Sequence, residues 1–170
     1  MKKQNIILIG FMGTGKTATG RVLATRTGMP WIDMDERIEQ RQQKTISEIF
    51  AQNGEPAFRA MERELVQELS QLTGYIISTG GGVVLNPDNI SDFEKTGLVV
   101  CLTASPETIL QRLETDTSRP LLSGDRKNQS VTLLEKRKPL YNAIPHQINS
   151  DRLNPEERAD AILTLYALEC

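Results

Sequence analysis

Eight residues near the N-terminus, Gly10-Phe11-Met12-Gly13-Thr14-Gly15-Lys16-Thr17, place glycines, a lysine and a hydroxyl at the spacing GxxxxGK[ST]. Gly13 and Gly15 let successive backbone amides turn inward around an anion, and a helix that starts here adds the positive end of its dipole. Lys16 can reach the terminal phosphates of a nucleotide, and the Thr17 hydroxyl can ligate Mg²⁺. At ordinary composition, a chain of this length matches the pattern by chance less than about 1% of the time. An apolar run precedes it and a helical pattern follows, which is the context a phosphate-binding loop requires. The loop identifies a nucleotide but no acceptor, because hydrolases, switches and small-molecule kinases all carry it.

Four further clusters bear on the acceptor. Asp33 and Asp35 follow a short apolar run, and in open α/β sheets ligands bind beyond the carboxyl ends of strands. Strand alternation would turn both carboxylates to one side, one for a magnesium-bound water and one for a substrate hydroxyl. An aspartate that caps the next helix explains Asp35 as simply. Arg59 and Glu62 stand three apart on a helical pattern; a guanidinium held by a carboxylate can clamp an anion, and an ordinary surface ion pair has the same spacing. Lys136, Arg137 and Lys138 are consecutive, so on a helix they point in different directions and one or two at most face a common site. A solvated face is the simpler reading of that run. Finally, the apolar run Ile76-Ile77-Ser78-Thr79 ends in Gly80-Gly81-Gly82. Three glycines cost backbone entropy and contribute no packing, so either the turn is loose or something approaches the backbone closely there.

The elements that must position these residues alternate in type. Strand-like runs occupy 5–9, 30–32, 75–78, 98–102 and, more weakly, 146–149, while helical patterns occupy 16–28, 35–42, 46–52, 56–72, 88–95, 106–113, 130–142 and 155–168. Gly28 and Gly74 are placed to end helices, and Ser105-Pro106-Glu107 to start one. Buried strands alternating with helices predict an α/β fold around a parallel sheet. The 170 residues suit one domain. A net charge of −2 gives no global field toward nucleic acid or anionic membrane, and no apolar run approaches the roughly 18 residues needed to span a bilayer. Cys101 and Cys170 make no disulfide framework, so a cytoplasmic location is expected. His146, the single histidine, has no nucleophile to pair with in sequence, and Trp31 reads as packing or a pocket wall.

Kept in this order, the motifs resemble the shikimate kinase family over nearly the whole chain. Residues 10–17 correspond to its phosphate loop, and Asp33-Met34-Asp35 to its paired aspartates. Arg59-Ala60-Met61-Glu62 followed by residues 76–84 corresponds to its signature, Arg119-Pro120-Leu121-Leu122 to its lid, and Arg137-Lys138-Pro139-Leu140-Tyr141 to its second acceptor arginine. The resemblance implies a phosphate-loop, nucleoside-monophosphate-kinase-like α/β fold: a five-stranded parallel sheet in order 2-3-1-4-5, flanked by helices, with a mobile lid. It implies a single kinase domain over 1–170, with shikimate-binding helices at about 33–62 and the lid at about 114–128. The implied reaction transfers the γ-phosphoryl of ATP to the 3-hydroxyl of shikimate with Mg²⁺, on the route to chorismate and the aromatic amino acids.

Residue by residue, the resemblance makes Lys16, Asp35 and Arg119 catalytic, with Glu62 orienting Arg59. It assigns ATP to Gly13, Thr14, Gly15, Lys16, Thr17, Arg112, Arg119, Arg152 and Pro155, and shikimate to Asp35, Arg59, Gly80, Gly81, Gly82 and Arg137. Thr17 and Asp33 would hold Mg²⁺. The expected partners are shikimate and ATP, with no nucleic acid or membrane, and the expected state is a monomer. A related gluconate or nucleotide kinase is the nearest alternative. A nucleotide-dependent regulatory domain without acceptor chemistry is a second, although every motif position expected to act is filled by a suitable residue.

Overall fold

A computed structural model describes residues 4–115 and 125–170. The run Asn5–Ile9 (β1) is buried at every position and forms the middle of a five-stranded sheet. Trp31–Asp33 (β2), Ile76–Ser78 (β3), Gly97–Thr103 (β4) and His146–Asn149 (β5) complete it in the order β2-β3-β1-β4-β5, with every pair parallel. This is the order that the motifs imply. The helices are Lys16–Thr27 (α1), Met34–Gln42 (α2), Ile46–Leu69 (α3), Pro87–Glu94 (α4), Pro106–Thr115 (α5), Asp125–Asn142 (α6) and Pro155–Glu169 (α7).

Alternation along the central strands sorts their side chains into two cores. Ile7, Ile9, Ile77, Val99 and Cys101 face one layer with Ile38, Leu65, Phe93, Ile109 and Tyr141, from α2 to α6. Ile6, Leu8, Ile76, Val100 and Leu102 face the other with Leu23 of α1 and Ala159 and Ile162 of α7. Both faces are thus covered by helices, as a parallel sheet demands. No helix among the described residues is long and apolar enough to cross a membrane.

Several boundaries differ from the sequence expectation for local reasons. The second strand runs 31–33, because Pro30 has no N–H and takes part only as the acceptor for Ile76 N. The patterns at 46–52 and 56–72 join into α3 across a kink at Gly54 (φ 81°), with Pro56 just beyond it. Gly74 ends no helix: α3 stops at Leu69 with Ser70 as its cap, and Gly74 (φ 81°) belongs to the turn into β3. A short 3₁₀ helix, Val83–Leu85, follows the triple glycine, and α6 starts earlier than expected. The kink in α3 matters most for the site, since it sets the direction of the turn that carries Arg59 and Glu62.

Candidate active site

The loop after β1 wraps the N-terminus of α1. Gly15 is the N-cap of α1 with φ 96°, a conformation that side-chain-bearing residues rarely adopt. The Thr14 side chain is buried and donates to Phe11 O at 2.8 Å, which stitches the loop across its own turn. The Lys16 ammonium lies over the loop, donating to the carbonyls of Gly10 and of Phe11, the latter at 3.0 Å. On the next turn of chain, Thr17 Oγ1 stands 3.4 Å from Asp33 Oδ2.

The two aspartates do not share a strand. β2 ends at Asp33, whose Oδ1 accepts from Glu36 N at 3.0 Å and so caps α2, while Asp35 sits in the first helical turn. The capping role weighed for Asp35 therefore belongs to Asp33, and alternation does not orient the pair. Asp33 has two oxygens and uses them separately, one on the helix end and one toward Thr17. A hydroxyl and a carboxylate form a hard oxygen donor set, which suits Mg²⁺ when waters and phosphates supply the other ligands.

The triple glycine is a surface against which charged side chains press. A Cβ on Gly80 would lie 2.6 Å from Asp35 Oδ1 and 3.2 Å from Glu62 Oε2, and one on Gly82 would overlap the Arg59 guanidinium. Neither residue has a positive φ, so close approach rather than backbone geometry excludes a side chain at these positions. Gly81 completes the set: Tyr141 donates to its carbonyl at 2.6 Å, and a Cβ on it would meet Arg137 Nη1 at 3.7 Å. Burial pushes the Tyr141 phenol up to about 12, which keeps it a donor. For Gly82→Ala we expect kcat/KM for shikimate to fall by about tenfold, or ~1.4 kcal/mol, with little change in melting temperature, because the flexible Arg59 tip yields before the backbone. Steady-state kinetics and thermal melting check this, and an unchanged kcat/KM would show that Arg59 does not work from this position.

A cavity of about 320 Å³ opens beside these glycines, lined by Glu55, Arg59, Glu62 and Gly82 among others. Arg59 is held from two sides, by Glu62 Oε1 at 3.0 Å and by Glu55 Oε1 at 3.2 Å. Glu62 is 2% exposed, and its burial raises its pKa above the usual carboxylate value of 4.5, opposed by the charge and hydrogen bond of Arg59. The neighbouring Asp35 carboxylate pushes the same way as burial. A raised folded-state pKa means the native state holds the proton more tightly than the unfolded chain, so the stability linked to that proton is present below pH 4.5 and is lost as pH rises through the folded value. Glu62→Gln should therefore remove a component of stability that declines with rising pH above the ordinary carboxylate range. Parallel melting curves from pH 4 to 8 test this; parallel pH profiles for the two proteins would overturn it.

Of the three consecutive cations only Arg137 is buried, at 8% exposed, while Lys136 and Lys138 are exposed. Its Nε is a buried donor without a protein acceptor among the described residues. On the far side of the phosphate loop, Arg112 donates to Gly13 O at 3.1 Å and to Ser150 Oγ and O at 2.9 and 2.7 Å. Ser150 thus ties Arg112 to the loop that leads into α7. On that loop Arg152 is exposed and Asn154 caps the helix, which begins at Pro155. Sequence reasoning missed Glu55 and Ser150. The i, i+4 spacing of Glu55 and Arg59 was a readable signal, whereas nothing in sequence links Ser150 to Arg112. Arg119 and residues 116–124 of the expected lid lie outside the described residues.

A phosphate loop at the end of the central strand, beside a separate cavity lined by an arginine and two carboxylates, defines a phosphate-loop kinase that acts on a small molecule. The comparisons with known proteins narrow that class. A shikimate kinase family profile matches residues 12–167. A shikimate kinase of Caldicellulosiruptor saccharolyticus is 42% identical over 164 residues, covering 96% of this chain and 95% of the relative. The structure of shikimate kinase from Acinetobacter baumannii in complex with shikimate superposes with a TM-score of 0.89 at 35% identity, over 98% of this chain and 94% of that one. That from Aquifex aeolicus superposes at 0.82 and 32%, over 96% of each. A gluconokinase from Sinorhizobium meliloti shares the fold alone, at 14% identity and a TM-score of 0.60, over 97% of this chain and 92% of that one. The chain belongs to the shikimate kinase family, enzymes that phosphorylate shikimate with ATP on the route to the aromatic amino acids.

Proposed function

We propose that the chain transfers the γ-phosphoryl of ATP to the 3-hydroxyl of shikimate with the residues that the motifs mark. One observation carries the acceptor side: Arg59 and Arg137 converge on the glycine floor, and Arg137 keeps a buried Nε donor without an acceptor among the described residues. A planar carboxylate is the group that two guanidinium forks bind best. Arg59, fixed by Glu62 and Glu55, and Arg137, fixed beside Tyr141 and Gly81, bind the shikimate carboxylate. Asp35, pressed against Gly80, accepts hydrogen bonds from the ring hydroxyls and takes the proton of the attacking one.

On the nucleotide side, amides of Gly13, Thr14, Gly15 and Lys16 ring the phosphates. Lys16 moves from the Gly10 and Phe11 carbonyls onto the transferring phosphoryl. Arg112 packs against the base with Pro155 or Arg152 opposite. Thr17 and Asp33 would hold Mg²⁺, which when bound would supply charge neutralisation to the phosphates. Arg119 is proposed, from the family pattern alone, to stabilise the same charge from the lid and to help exclude water.

The test is ADP release from Mg²⁺-ATP with no acceptor, shikimate, gluconate or a nucleoside monophosphate. Turnover with shikimate alone, and a product heavier by one phosphoryl group whose phosphate is on the 3-oxygen by NMR, supports the reading. Turnover with gluconate or a nucleoside monophosphate, or phosphate on another hydroxyl, would overturn the acceptor assignment.

A further inference from the structure

A second buried arginine stands behind the phosphate loop, outside the roles given above. Arg158 of α7 is 4% exposed. Its Nε donates to Thr19 Oγ1 of α1 at 2.9 Å and its Nη1 to Leu153 O at 3.2 Å. A Cβ on Gly15 would meet its Nη2, Cζ and Nη1 at 2.8, 2.9 and 3.0 Å. Three atoms at nearly equal distance mean that the guanidinium lies flat across the place a Gly15 Cβ would take, where only a glycine leaves room for it. The position is maintained by packing of α7 on α1, with Arg26 paired to Glu156 at 2.8 Å and to Asp160.

The charge arrangement is unfavourable by itself. No carboxylate forms an ion pair with Arg158 among the described residues. Arg158 shares the N-terminal end of α1 with Lys16 and with Arg112, which reaches Gly13 O. A cation at a helix N-terminus opposes the dipole, and a buried charge without a counterion is costly. Burial and the charge of Arg112 both lower the pKa of Arg158. An anion arriving at the loop supplies the missing counterion and offsets the repulsion among these cations.

We propose that Arg158 is a positioning residue for the phosphate chain of the nucleotide: it supports Gly15 from behind and adds fixed positive charge to the loop that rings the phosphates. The inference rests on the reading that this loop binds ATP, which wild-type turnover of ATP and shikimate tests separately. Arg158→Met and Arg158→Lys are compared with the wild type for KM of each substrate, for inhibition by inorganic tripolyphosphate, and for the melting shift that tripolyphosphate causes.

In Arg158→Met, KM for ATP and Ki for tripolyphosphate should each rise about tenfold, the scale of a partly buried charge at a helix end. The tripolyphosphate-induced melting shift should shrink, while KM for shikimate stays within about twofold. Arg158→Lys, which keeps the charge but not the flat contact, should recover part of the loss. A folded Arg158→Met with unchanged tripolyphosphate affinity would overturn the proposal, as would equal weakening of both substrates. A lower melting temperature with all affinities kept would mean a purely structural role. Should Arg158→Met fail to fold, Arg158→Lys carries the test: a rise of about threefold in the tripolyphosphate Ki with shikimate unaffected supports the inference, and an unchanged Ki overturns it.

Discussion

Asp35→Asn is expected to lower kcat about a thousandfold, in the middle of the range that a positioned general base contributes. The substitution keeps shape and hydrogen-bonding capacity toward the ring hydroxyls, so KM for shikimate should move only a few-fold. It removes the ability to accept the proton of the attacking hydroxyl. The fold should survive, and the reason lies in Glu62. The Asp35 carboxylate raises the pKa of the buried Glu62, so neutralising Asp35 relieves that like-charge contact. The measurement is single-turnover phosphoryl transfer alongside a melting curve. A folded Asp35→Asn variant with kcat within about tenfold of wild type would assign the proton to another group or to water.

Arg137→Met is expected to reduce kcat/KM for shikimate by about 10²–10³-fold, the loss typical of truncating one partner of a buried, hydrogen-bonded charge pair. KM for ATP should change less than KM for shikimate: Arg137 stands beside Gly81 and Tyr141, at the edge of the phosphate loop, since the same Gly81 position meets Met12 N and Gly10 O. Stability should hold or rise. Methionine approximates the volume of the arginine stem, and the exchange removes a buried charge whose Nε has no acceptor among the described residues. A cycle with the methyl ester of shikimate isolates the contact. The ester should be a poor substrate for the wild type, and Arg137→Met should treat ester and acid nearly alike. If the variant discriminated against the ester as strongly as the wild type does, Arg137 would not be a carboxylate ligand, and Arg59 would carry that role alone.

How much of this site was legible before the fold was known depended on how far apart its parts lie in sequence. The phosphate loop needs consecutive backbone amides, a glycine with positive φ at position 15 and a helix start at position 16, all of which reside in eight adjoining residues. The sheet order was implied by the family resemblance and is the order observed. The paired aspartates were found but misjudged. Strand alternation was assumed through a segment where β2 had already ended, and Asp33 took the capping role for which Asp35 was considered.

By itself the sequence determined the chemistry that depends on local backbone geometry: the nucleotide loop, the alternation of strands and helices, and the set of charged side chains available to an acceptor. Only the tertiary structure decided which of two readings each ambiguous motif takes. Gly80 and Gly82 are floor and not slack, because Asp35 from α2 and Arg59 from α3 meet them across the fold. Arg137 turns inward between two exposed lysines because α6 presents that one position to the core. Arg158 gave no sequence signal at all, since a lone arginine on a C-terminal helix reads as surface until α7 packs it behind Gly15. The physical reason is common to all three. Close approach and burial are properties of pairs of distant segments, and no run of neighbouring residues encodes which distant side chain will fill the space a glycine leaves.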